Sequence, residues 1–192
     1  PDDRATADVK AALLRVQRVA RRMMRTNEVS LRARVAVGGD PNPLRTFSDT
    51  PREETELQMG ADWTGVRFAA RLQMTRAESP QDGKSWRPDG SYVGVNLMNF
   101  MVSAGYMDRW WGPGWEGSMI LSNSARPIPA ISLERNYSDA FKSRWLRWIG
   151  PWRASIMLGQ LENTRTDFDR TRLLAMRVSF KPLPQLEIGL SR

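Results

Sequence analysis

Eight side chains between Asp108 and Arg126 are of the types that bind a sugar. A sugar ring presents an apolar C–H face and a rim of hydroxyls, so a binding surface needs an aromatic platform beside planar hydrogen-bonding groups. Trp110, Trp111 and Trp115 supply the platform, and Asp108, Arg109, Glu116, Asn123 and Arg126 supply the polar partners. Arginine suits an acidic polymer better than lysine, because its fork pairs bidentately with a carboxylate. A second chemistry, glycoside cleavage by two carboxylates, would draw on Asp108 or Glu116 with Glu134, but no pair in the sequence sets the separation this needs. Histidine and cysteine are absent. Their absence removes the Ser-His-Asp triad, zinc sites built on His or Cys, cysteine nucleophiles and disulfides. No catalytic residue, metal or cofactor is expected.

The 29 Lys and Arg exceed the 21 Asp and Glu of the 192 residues, a formal charge of +8. Such an excess suits nucleic acid, a membrane surface or an acidic polymer. Beyond residue 25 the arginines are interleaved with Glu and Asp and no dense basic run occurs, which argues against nucleic acid. No stretch approaches the roughly 18–20 apolar residues of a membrane-spanning helix, a test that strands escape by hiding their hydrophobicity in alternation. The chain starts at Pro1 without Met, so it is expected to be processed or a fragment.

Residues 2–25 predict a helix, with Val9, Ala12, Leu13, Val16, Val19, Ala20 and Met23 on one face and Arg15, Arg18, Arg21, Arg22 and Arg25 on much of the other. After Asn27 the period changes to two. Val29, Leu31, Ala33, Val35 and Val37 alternate with residues such as Arg32 and Arg34 over 28–37. Over 54–63, Leu57, Met59, Ala61 and Trp63 oppose Glu54, Glu56, Gln58 and Asp62; a turn at Thr64-Gly65 leads into Val66, Phe68, Ala70, Leu72 and Met74 alternating with Arg67, Arg71 and Gln73. Residues 91–97 with 101–107, 130–135, 152–158, 172–181 and 185–191 read as further strands, the last two joined at Pro182-Leu183-Pro184. Longer polar stretches lie at 38–53, 77–90 and 162–170.

Alternation alone fits a soluble β-sandwich as well as a membrane barrel. Strands of about ten residues match the roughly 9–11 needed to cross a bilayer at a tilt. Glu54, Glu56 and Asp62 beside Arg67 and Arg71 suit a lumen lined by cross-strand ion pairs, and Trp63, Trp152 and Phe180 near strand ends suit an interface girdle. In that setting Trp110 and Trp111 have a purely structural reading too: aromatics at the membrane interface, with Gly112-Pro113-Gly114 shaping a rim loop and Asp108 and Arg109 pairing with lumenal neighbours.

The run DRWWGPGWEGS, continued as LSN.ARPIPAI.L.R over 121–135 and supported by LPQLEIGLSR at 183–192, resembles the Wzi family of outer-membrane capsule-assembly proteins. The resemblance covers most of the chain from the first strand onward. It implies an all-β antiparallel transmembrane barrel of about eighteen strands, within the range such barrels adopt. It also implies a monomeric, non-catalytic lectin of the cell outer membrane that holds capsular or other surface polysaccharide, with outer-membrane lipid around it. Residues 1–27 would then be a helical segment on the periplasmic side and 28–192 an incomplete barrel portion of about nine to eleven strands, resembling the N-terminal half. A channel or polysaccharide export pore is the alternative, and a smaller closed barrel or a soluble β-domain are the other architectures.

Overall fold

The computed structural model describes residues 9–17, 20, 26–39, 45, 50–118, 120–161 and 171–192. Residues 9–17 and 20 are helical; the rest of the expected 2–25 helix lies outside the described residues. Ten strands follow: β1 (Val29–Val37), β2 (Thr55–Thr64), β3 (Phe68–Glu78), β4 (Trp86–Arg87), β5 (Tyr92–Leu97), β6 (Phe100–Gly105), β7 (Ala130–Arg135), β8 (Trp152–Gln160), β9 (Arg172–Leu183) and β10 (Leu186–Ser191). They form one antiparallel sheet in the order β1-β2-β3-β5-β6-β7-β8-β9-β10, with β4 also on β3. Nearest-neighbour order throughout is what successive hairpins dictate. β1 and β10 are its ends, so among the described residues the sheet does not close.

The register turns the period-two pattern into two chemically opposite faces. Val35 pairs with Leu57, Leu31 with Ala61, Met59 with Met74, Leu133 with Ile156 and Ile156 with Met176. This apolar face is open: Leu31 is 81% and Leu72 71% exposed. The other face brings Ser30, Asp62 and Arg71 side by side. Arg71 Nε donates to Asp62 at 2.5 Å and Arg32 to the other oxygen of the same carboxylate, which realises the expected cross-strand ion pairing. Burial is inverted relative to a soluble domain. The buried apolar residues among those described are Ala77, Ala130, Met157 and Ala175, whereas Arg45, Glu53, Thr75, Arg87, Ser103 and Ser132 are buried polar ones. A sandwich would bury the leucines against a second sheet; here a polar interior and an apolar exterior follow from one strand pattern.

Several boundaries differ from expectation. Gly65, Val66 and Arg67 form the β2–β3 turn, closed by Gly65 N donating to Phe68 O at 2.8 Å, so Val66 is not in the strand. β3 runs on to Glu78 and β4 lies within the expected loop 77–90, because Thr75 and Arg76 find ladder partners in Arg87 and Trp86. The β9–β10 turn sits at Pro184 and Gln185, with Pro182 and Leu183 inside β9. β5, β6, β7 and β10 have six residues each rather than about ten. Short turns at 65–67, 98–99 and 184–185 gather at one end of the sheet with the start of β1, and the longer connections 38–54 and 106–129 at the other; the exception is 136–151, a long loop at the short-turn end.

Candidate functional site

Gly105 is the point at which β6 stops. Its φ is +149°, and a Cβ there would run into the carbonyl of Ser91 and the Cα of Tyr92. Only glycine permits that backbone so close to β5. The chain then folds back over the polar face toward the short-turn end. Arg109 anchors it: Nη2 donates to Ser132 Oγ at 3.2 Å, Nη1 to the carbonyl of Met107 at 3.0 Å, and Ser132 pairs with Ser103 at 2.7 Å. Burial lowers the Arg109 pKa against the opposing pull of Glu134 and Asp108. Trp111 N donates to Leu121 O and Trp110 Nε1 to Gly114 O. The returning arm also lies on the sheet, since a Cβ on Gly159 would come within 2.6 Å of Ile128 Cδ1.

Between this segment and β7–β10 opens a cleft of about 390 Å³. Asp108, Arg109, Trp110 and Trp111 form one wall; Glu134, Arg153, Ser155, Arg177, Ser179 and Glu187 form much of the other. Strand pairing assembles the second wall, with Glu134 opposite Ser155, Ser155 opposite Arg177 and Arg153 opposite Ser179. Glu187 sits where the β9–β10 register shifts, and such irregularities re-aim a side chain. Among the described residues the guanidinium groups of Arg153 and Arg177 have no ion pair or hydrogen bond. A half-buried tryptophan pair therefore faces cations open to a ligand.

The other residues expected in one site lie elsewhere. Arg126 clamps Asp89 with Nε and Nη2, at 2.9 and 2.8 Å, and reaches Asp82 with Nη1 at 2.7 Å. Those bonds to Asp89 push the Arg126 pKa up, against burial, which lowers it. Arg87 holds Glu53 at 2.6 Å and Asp82 at 2.9 Å, and Arg52 approaches Asp108 at 3.6 Å and donates to Ser124 O at 2.7 Å. Burial works to raise the Asp82 pKa, but the Lys84 amide and the Arg126 and Arg87 guanidiniums outweigh it and hold the group at about 2. This network ties loops 50–54, 79–91 and 120–126 together at the long-loop end. Trp115 is 75% exposed and Glu116 is exposed, outside the cleft. Asn123 is half-buried, its Oδ1 buried with no hydrogen-bond partner among the described residues. No group of three metal-ligating side chains occurs among the described residues.

Arg153, Arg177, Ser155, Ser179 and Glu187 were legible in the sequence as polar-face residues but not as part of a site. Their alternation was the available signal. What it lacked was the path of residues 106–111, more than forty positions upstream of Arg153.

The family described as capsule assembly protein Wzi matches over residues 34–192. A Klebsiella pneumoniae protein described as an uncharacterized 55.8 kDa protein in the cps region is 30% identical over 154 residues, which cover 79% of this chain and 30% of that protein. A solved structure of an Escherichia coli outer-membrane protein, Wzi, described as a carbohydrate-binding β-barrel involved in group 1 capsule assembly, superposes with a TM-score of 0.80 at 26% identity. The match covers 91% of this chain and 40% of that one. The chain thus spans well under half the length of both relatives.

Proposed function

This chain belongs to the Wzi family of capsule assembly proteins, and on that premise we propose that it is part of a monomeric outer-membrane β-barrel lectin that binds surface polysaccharide without cleaving it. The E. coli relative is described as carbohydrate-binding. Within this chain, the observation that carries the reading is the cleft in which Trp110 and Trp111 face Arg153 and Arg177. Tryptophan stacks on the C–H face of a sugar, while unpaired guanidiniums accept a carboxylate in a bidentate fork. The ligand class is therefore an acidic polysaccharide. An apolar exterior with a charged interior supports the membrane setting.

The test is binding of the host's purified capsular polysaccharide by the complete protein, refolded in detergent and shown to be a barrel by heat-modifiable gel mobility. Folded protein should bind it, carboxyl-reduced polysaccharide should bind at least tenfold more weakly, and a Trp111→Ala, Arg153→Gln, Arg177→Gln variant should lose binding while keeping its mobility shift. Folded protein that binds neither polymer would sink the lectin reading. An open channel is the competing function. The segment 106–111 folded onto the polar face would narrow a lumen, so bilayer recordings should show no steady conductance.

A further inference from the structure

The loop 136–151 is the long connection at the otherwise short-turn end. It carries Trp145, 87% exposed, and Trp148 and Tyr137, 66% and 59% exposed. Lys142, Arg144 and Arg147 alternate with these aromatics and are exposed as well. None of the three cations has an ion pair among the described residues. Water is a poor partner for so dense a set of exposed aromatics, and cations interleaved with them attract a negative surface.

The loop is fastened to the end of the apolar face. Phe141 stacks on Trp152 with centroids 4.8 Å apart, Arg135 lies 4.0 Å over the same indole, and the Arg135 guanidinium donates to the carbonyls of Trp152 and Asp139. Lys181 N donates to Pro151 O at 2.9 Å. Trp152 pairs with Phe180 on the apolar face, so the aromatic and cationic loop continues the surface that faces hydrocarbon, at the depth where headgroups begin.

We propose that loop 136–151 is a binding site for anionic phospholipid headgroups of the periplasmic leaflet, with Trp145 and Trp148 seated at the interface and Lys142, Arg144 and Arg147 on the phosphates. The leaflet follows from the rim, since short turns mark the periplasmic end of outer-membrane barrels. Indole rings belong at headgroup depth, and basic residues beside an apolar anchor bind anionic lipid. A protein segment such as the helix over residues 9–17, with exposed Val9, Leu13 and Val16, is an unsuitable occupant. Its segment carries Lys10, Arg15, Arg18, Arg21 and Arg22, which would repel the loop's three cations. The inference rests on the outer-membrane reading above.

The complete protein is reconstituted in phosphatidylcholine vesicles, and tryptophan quenching by brominated phosphatidylglycerol is compared with quenching by brominated phosphatidylcholine at equal mole fraction. Heat-modifiable mobility is checked in every sample. Wild type should prefer phosphatidylglycerol by roughly fivefold for each cation engaged. The preference should vanish in Lys142→Gln, Arg144→Gln, Arg147→Gln, and the excess quenching in Trp145→Phe, Trp148→Phe. Equal quenching by the two lipids, as a protein segment seated on the loop would produce, overturns the proposal and leaves the barrel reading intact. A preference that survives in the glutamine variant overturns it too. Protein that never acquires the mobility shift overturns the barrel reading and this inference with it.

Discussion

At the long-loop end Arg87 and Arg126 each hold two carboxylates, whereas Arg153 and Arg177, on the same polar face below Trp110, hold none among the described residues. The first pair is committed to architecture. Arg87 is 2% exposed and Glu53 7%, and each group is there because the other neutralises it. The second pair lines the cleft and makes no hydrogen bond or ion pair among the described residues. What separates the two pairs of guanidiniums on this sheet is what each leaves unpaired, not its presence or the tryptophans near it in sequence. Arg126, eleven residues beyond Trp115, belongs to the scaffold, while Arg177, far from any of the three clustered tryptophans, lines the cleft.

The largest effect that would break this contrast is Arg87→Met. It strands a buried Glu53 carboxylate and should cost on the order of 3–5 kcal/mol, seen as a lower temperature for loss of the folded gel band; an unchanged transition would mean that the network is not structural. Next is Arg153→Gln with Arg177→Gln. Loss of two charge-assisted contacts should weaken binding of acidic polysaccharide by roughly 100-fold or more, while stability stays within about 0.5 kcal/mol. A variant that unfolds but binds normally when folded would reverse the assignment of the two regions.

Smaller effects sharpen the contrast. Ser132→Ala removes the hydroxyl shared by Ser103 and Arg109 and should cost about 1 kcal/mol with a severalfold loss of binding, because Arg109 positions the tryptophans. Adding Ser103→Ala should restore part of the stability, since the stranded buried hydroxyl is gone, but not the binding. The mildest effect is acid. Asp82 lies at about 2 against an ordinary 3.8. Its contribution is therefore present above 3.8 and is lost as pH falls from there through 2. Limited proteolysis of loop 79–85 should quicken across that window, with the cleft strands unaffected; cleavage that does not change with acid would count against the clamp.

Much of the sheet was legible along the chain. Val29, Leu31, Val35 and Val37 against Arg32 and Arg34 marked the two sides of β1 before any partner was known, because a strand's period is local. Turn chemistry at Gly65 and Pro184 located hairpins within a residue or two. The misplacements fell where partners decide: Val66 went to the turn once Gly65 bonded Phe68, and β4 formed because Thr75 and Arg76 had unpaired ladder groups. Of the residues expected to bind glycan, Asp108 to Trp111 line the cleft, while Arg126 carries the same residue-type signal and pairs with Asp82 and Asp89.

By itself the sequence determined the two-sided strands, the hairpin order and the concentration of aromatic and charged groups between Asp108 and Arg126, since these depend on neighbours within a few residues. Tertiary structure alone decided which polar groups neutralise one another and which remain open. Gly105 turns the chain back across the polar face, and that path sets Trp110 beside Arg153 and Arg177 rather than beside Arg126. Charge pairing falls off over a few ångströms in space, and distance along the chain does not report it.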